Sequence, residues 1–271
     1  MKNAILVLLA ALSSLHMAAQ EITEENYLHA DSMLWVGYEN RLKEMQEEWQ
    51  AHPEKADSIQ AVFDKMLEAT LAENARLAVE YASVPSGLQR CYMVRLDLPK
   101  DTLRAVLSRI PADMRESDYG KYIERHIAAR QLEEGDSLLE FPVVDETGAA
   151  FDWRQAAGKS LLLLYGGMDC MGESGREYLA GLYERSSRAD FLIVVYWPVS
   201  SLENLQKIKE KYPCEYAFVS DFLQNGSPIK IEYGSQATPT CYFFGPNGTL
   251  KARSVGLVGE LRKQIESSLG L

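Results

Sequence analysis

The stretch Ser160–Tyr165, SLLLLY, carries no charge and no alternation of polar with apolar residues. A helix burying one face would show polar residues every third or fourth position, and a strand wet on one side would alternate. A short unbroken apolar run therefore predicts a strand covered on both faces. Phe191–Trp197, FLIVVYW, is a second run of the same kind. The residues between them, from about Met171 to Glu184, have the length and pattern of a helix. Two buried strands joined through a helix impose a parallel βαβ unit, with helices layered on the sheet.

The rest of the second half fits around that unit. Phe141–Val144 leads into the turn Asp145–Gly148 and predicts an edge strand. Ser200 and Glu203 have the spacing of a capping box, opening a helix with Leu202, Leu205 and Ile208 on its inner face and ending before Pro213. Short strands are expected at Glu215–Ser220 and Thr240–Phe244. Pro246-Asn247-Gly248 is a tight turn into a last strand, Thr249–Ser254. Val258, Leu261, Ile265 and Leu269 mark a closing helix. The fold class expected is α/β, a mixed central sheet flanked by helices.

The first half has another rhythm. Leu34, Tyr38, Leu42, Met45 and Trp49 recur at helical spacing, Pro53 interrupts, and Ile59, Val62, Phe63, Met66 and Leu67 resume. Leu103, Val106, Leu107 and Ile110 form a shorter helix stopped by Pro111, and another begins near Ser117. The division expected is a leader at 1–20, an all-α domain at 21–134 and an α/β domain at 135–271.

The leader reading rests on MKNAILVLLAALSSLHMAAQ: a lysine, an apolar core and small residues at Ala18-Ala19. That is the layout of a secretory signal peptide, with an apolar run too short to span a bilayer. An exported protein of a bacterial periplasm, with no membrane span, is expected. The formal charge of −11 without basic clusters argues against nucleic acid and anionic lipid as partners. Four cysteines, at positions 91, 170, 214 and 241, include no C-x-x-C pair. The mature histidines, His29, His52 and His126, all lie in the first half, which leaves the second half no histidine for a zinc site or a Cys/His catalytic pair. No metal and no cofactor are implied.

On these residues the second half resembles the TlpA/ResA-type extracytoplasmic proteins of the thioredoxin fold. FPVVDETGAAFDWRQAAGKS is similar to the segment before that family's first core strand, LLLLYGGMDC to the strand that delivers its catalytic cysteine, and ATPTCYFF with GPNGTL to its cis-proline loop and following hairpin. The helical first half, around SDYGKYIERHIAAR, resembles the N-terminal domain of exported Bacteroidetes members. The resemblance implies that Cys170 is the attacking thiol at the head of a helix. It also implies that Thr238 and Pro239 form a peptide-docking edge beside it, with Asp169 on the substrate side.

The active-site motif departs from the family. Where it has Trp-Cys-x-Pro-Cys, this chain has Asp169, Cys170, Met171, Gly172 and Glu173. In the two-cysteine version the first thiolate attacks a substrate disulfide and the second thiol releases the mixed disulfide. Glu173 has no sulfur and cannot do so; it is a candidate catalytic-site residue beside Cys170, and it equally suits simple capping of the helix's first turn. A peroxidase-type site on a related fold needs Thr or Ser three residues before the cysteine, where Gly167 stands. Two readings stay open. One is a single-cysteine thiol-disulfide oxidoreductase that forms mixed disulfides through Cys170 with a protein or a low-molecular-weight thiol or disulfide. The other is a redox-inactive binding module that docks a peptide or protein. Cys241 and Cys214 are expected as buried thiols, the latter on the far side of the domain.

Overall fold

The structure, a computed structural model, describes residues 21–271; the expected leader lies outside the described residues. The chain divides into two compact units, one ending at Cys91 and one running Tyr92–Leu271.

The first unit is built on two long helices, α1 (Glu24–Ala51) and α2 (Ala56–Glu80), joined by a single 3-10 turn at Pro53–Lys55. Thr23 caps α1, its side chain accepting from the Asn26 N–H at 3.1 Å. Tyr27 at the start of α1 meets Tyr81 just after α2, ring centroids 5.6 Å apart, so the pair runs antiparallel. Tyr27, Leu77, Tyr81 and Val84 form the core there. Helix α3 (Pro85–Met93), absent from the sequence reading, follows after a four-residue turn.

The second unit opens with α4 (Lys100–Arg109), α5 (Ala112–Glu116) and α6 (Asp118–Ala128), the last capped by Ser117. Then come β1 (Val144–Asp145), β2 (Ser160–Tyr165), α7 (Gly172–Arg185), β3 (Phe191–Tyr196), α8 (Leu202–Lys211), β4 (Ala217–Ser220), α9 (Pro228–Ile231), β5 (Thr240–Phe244), β6 (Leu250–Val255) and α10 (Gly259–Leu269). The strands form one sheet in the order β1-β4-β3-β2-β5-β6. Strands β2, β3 and β4 are parallel neighbours; β1, β5 and β6 are antiparallel to theirs. This is the mixed sheet and helix arrangement of the thioredoxin-like fold.

All six residues of β2 are buried, as the unbroken run requires. Its side chains alternate between two cores. Leu162 and Leu164 pack with Leu179, Leu182 and Ile265 on one face, while Leu161, Leu163 and Tyr165 pack with Tyr196, Tyr242 and Trp153 on the other. The helix α8 differs from expectation at its start. The cap is Ser201, whose Oγ accepts from the Asn204 N–H at 3.3 Å, and Glu203 instead pairs with Lys207 at 2.6 Å. Ser200 is one residue too early for its hydroxyl to reach that amide, and its Oγ accepts from the Asn204 side chain.

His126, on α6, is 3 % exposed, and Gln131 Nε2 lies 3.2 Å from its Nδ1. Burial, followed by the charges of Arg95 and Lys100, pushes its pKa down to about 4. The unfolded chain, with an ordinary histidine near 6.5, then binds more protons than the folded one between those values. Stability supplied by neutral His126 is complete above about pH 6.5 and is lost as pH falls towards 4. Urea midpoints measured at pH 7 and pH 4.5 should show a smaller acid-induced drop for His126→Gln than for the parent; equal drops would contradict this assignment.

Candidate functional site

The buried strand β2 ends in Gly166 and Gly167, both with positive φ, +57° and +85°. The reason for two glycines is the segment facing them. The Thr238–Pro239 peptide bond is cis, and a Cβ on Gly167 would stand 2.4 Å from Pro239 Cβ and N. On Gly166 it would stand 3.2 Å from Thr238 Cγ2. Neither the backbone conformation nor the space admits a side chain at Gly167.

That close approach sets Cys170 beside Thr238. The turn Met168–Met171 is closed by Met171 N–H on the Gly167 carbonyl at 3.0 Å, and Arg176 Nη1 donates to the Met168 carbonyl at 2.9 Å. Cys170 is exposed on this turn, its Sγ 3.6 Å from Thr238 Oγ1. Thr238 is exposed too, and its backbone N–H and C=O make no hydrogen bond with any described residue. Pro239 is buried. Cys170, Thr238 and Pro239 therefore come together as one surface.

Cys170 does not sit in the first turn of the helix. Helix α7 begins two residues later at Gly172, whose φ of +67° breaks the helical path between them. The sequence could not show this, because only the backbone reveals which of glycine's conformations is used. Glu173 stands exposed in the first turn of α7, where an acidic side chain suits the helix dipole, with no hydrogen-bond partner among the described residues.

Asp169 faces another way. Its carboxylate pairs with Lys211 at 2.7 Å and accepts from the Tyr212 hydroxyl, tying the cysteine turn to the end of α8. Between α7 and this segment lies a shallow groove of about 330 Å³, lined by Met168, Glu173, Arg176, Lys211 and Cys214 among others. Cys214 thus lies on the α7 flank, shared with Glu173, and not on the far side of the domain. Asp169 meets Lys211 and Tyr212 where the chain after α8 passes beside α7.

Cys170, Cys214 and Cys241 are free thiols. Cys241 is fully buried on β5, and burial pushes its pKa up to about 12. Cys214 is half-buried between Lys209 Nζ and the Tyr216 carbonyl, each at 3.6 Å, and burial raises its pKa. Cys91 is buried. Among the described residues no group of His, Cys, Asp and Glu is arranged to hold a metal ion.

The residue that sequence reasoning missed is Arg95. It is fully buried, and no carboxylate among the described residues pairs with it. Its Nη1 donates to the Tyr92 carbonyl at 3.0 Å and to Gln236 Oε1 at 2.5 Å; its Nη2 donates to the carbonyls of Lys230 at 2.6 Å and Ser235 at 3.4 Å. Its guanidinium lies 4.2 Å from the centre of the Tyr92 ring. The guanidinium thus holds the loop that continues through Ala237 into Thr238–Pro239. Lys230, 5 % exposed beside it, has its pKa pushed down to about 8 by burial and by the Arg95 charge. The available signal was a lone arginine inside the apolar stretch YMVRL.

No family model matches the chain, and no curated protein matches it. Solved structures do. The thioredoxin domain of a thiol-disulfide oxidoreductase from Bacteroides vulgatus is 17% identical, over 51% of this chain and 99% of that one, with a TM-score of 0.45. A thiol-disulfide oxidoreductase from Bacteroides fragilis is 20% identical, over 48% and 99%, with a TM-score of 0.41. A thiol:disulfide interchange protein from a Bacteroides species is 19% identical, over 52% and 92%, at 0.44. Each likeness is one of fold and takes in about half of this chain.

Replacing Gly167 with alanine should destabilise the protein by more than about 2 kcal/mol, combining a left-handed backbone with a clash on Pro239. Denaturant unfolding measures this directly, and a loss below about 0.5 kcal/mol, the scale of an unremarkable surface change, would mean that the two segments do not meet.

Proposed function

We propose that this chain is an exported, single-cysteine thiol protein that forms mixed disulfides through Cys170. A partner docks as an extended peptide or a small disulfide against the Thr238 edge. The observation that carries this reading is the exposed Cys170 sulfur 3.6 Å from Thr238 Oγ1, beside a main-chain N–H and C=O that no described residue satisfies. Unpaired backbone groups at such an edge accept a strand-like segment by main-chain hydrogen bonds.

The chemistry balances without a cofactor. The Cys170 thiolate attacks one sulfur of a disulfide R–S–S–R′; the Cys170–S–S–R bond forms and R′–S⁻ leaves. A second thiolate R″–S⁻ must then attack the R sulfur of the mixed disulfide, so that the R–S–S–R″ bond forms and Cys170–S⁻ leaves; attack on the Cys170 sulfur instead expels R–S⁻ and leaves Cys170–S–S–R″, from which a further thiolate must free Cys170. Glu173 supplies none, Cys241 is buried, and Cys214 is half-buried in hydrogen bonds of its own, so the second thiol comes from solution. The leader at 1–20 would place the protein in the periplasm, where disulfide substrates persist.

A second reading is favoured by two features. Glu173 stands exposed where a dithiol enzyme needs sulfur, and Gly172 uncouples Cys170 from α7. Both fit a binding module that uses the same edge without covalent exchange.

Insulin reduction driven by a dithiol reductant separates the two. The parent should exceed the uncatalysed rate, and Cys170→Ser should fall to it. Equal background rates for both would remove the redox reading and leave the docking one, which then requires that Cys170→Ser retain partner binding.

A further inference from the structure

The α1–α2 hairpin carries a charge and an apolar surface that the site around Cys170 does not use. Residues 24–80 hold 13 acidic and 5 basic side chains, a net −8 out of −11 for the whole chain. Along α1, Leu28, Trp35, Leu42 and Trp49 fall at a strict seven-residue interval. That spacing keeps the four side chains on one seam for about 30 Å of helix. Leu28 is 51% exposed and Trp49 45% exposed.

At the turn end of the hairpin, Leu42, Met45, Gln46, Trp49, Ile59 and Phe63 line an apolar groove of about 170 Å³. It has room for one or two large side chains of a partner. Acidic residues punctuate the seam. Glu25 stands three residues before Leu28, and Glu39 stands between Trp35 and Leu42 at helical spacing. Both are exposed, and neither forms an ion pair with a described residue.

We propose that this hairpin is a docking surface for a basic amphipathic helix of another protein. The partner's bulky apolar side chains lie along the seam and seat in the groove at Trp49, and its lysines and arginines meet Glu25 and Glu39. The mode is that of an amphipathic helix on an apolar groove, with charge setting the partner's sign. A second copy of the chain fits poorly, because two surfaces of net −8 repel where they would have to meet.

The test uses the full chain and two labelled synthetic peptides of 18 residues or so, an amphipathic leucine/lysine helix and its leucine/glutamate counterpart, read by fluorescence anisotropy. The leucine/lysine peptide should bind saturably and more weakly as salt rises, and the leucine/glutamate peptide should not bind. Leu28→Gln and Trp49→Gln each remove a half-exposed side chain, leave the charge alone, and should each weaken binding roughly tenfold. Glu25→Gln with Glu39→Gln should weaken it and flatten its salt dependence. Binding indifferent to Leu28→Gln and Trp49→Gln would mean diffuse attraction to an acidic surface, and the proposal would fall. It would equally fall if the two peptides bound alike, or if sedimentation equilibrium showed a dimer that Trp49→Gln dissolves.

Discussion

The approach of Gly167 to Pro239 is the contact on which the site depends. It leaves no room for a Cβ, and it brings the end of β2 against the loop before β5. Everything reactive follows from that meeting: Cys170 emerges three residues beyond Gly167, and Thr238 immediately precedes Pro239. The sulfur and the open main-chain edge are neighbours because two backbone segments touch, not because either residue seeks the other. The 3.6 Å contact from sulfur to hydroxyl is too weak to assemble the site by itself.

Two supports hold that meeting in place. On one side is the sheet, whose central strand is sealed on both faces and so offers little freedom at its end. On the other is Arg95, a guanidinium buried with no carboxylate partner among the described residues, donating to the carbonyls of Lys230 and Ser235 and to the side chain of Gln236. Removing a charge from water at such depth costs several kcal/mol unless hydrogen bonds offset it. The loop before Thr238 supplies those acceptors, so its path and the burial of Arg95 require each other. Its Nε lacks a partner, so the satisfaction is incomplete. Asp169 contributes less: its pair with Lys211 is more than half exposed on both sides, a setting in which ion pairs add about 0–1 kcal/mol.

The sheet was legible where burial alone fixed the residue type. SLLLLY and FLIVVY admit little else than strands covered on both faces, and both strands formed. The two long helices were legible for the same reason, their apolar positions recurring at helical spacing on either side of Pro53. What escaped was set by tertiary contact or by residues without a strong preference. Helix α3 begins PSGL, a proline and a glycine that read as a turn. Gly172 could take either sign of φ, and the left-handed choice moved the start of α7 past Cys170. Arg95 shows in the sequence only as an arginine within YMVRL, and its partner Gln236 is 141 residues away.

The site that results is an exposed thiol beside an open main-chain edge. Of the four cysteines, Cys91 and Cys241 are shut in, Cys214 is half-covered, and only Cys170 is exposed. That contrast is the physical content of the single-cysteine reading, and counting reactive thiols in the native protein examines it most directly. With an aromatic disulfide reagent, one thiol of the four should react in a fast phase that Cys170→Ser abolishes, with the buried pair appearing only on unfolding. A fast phase that survives Cys170→Ser, or no fast phase at all, would contradict the account.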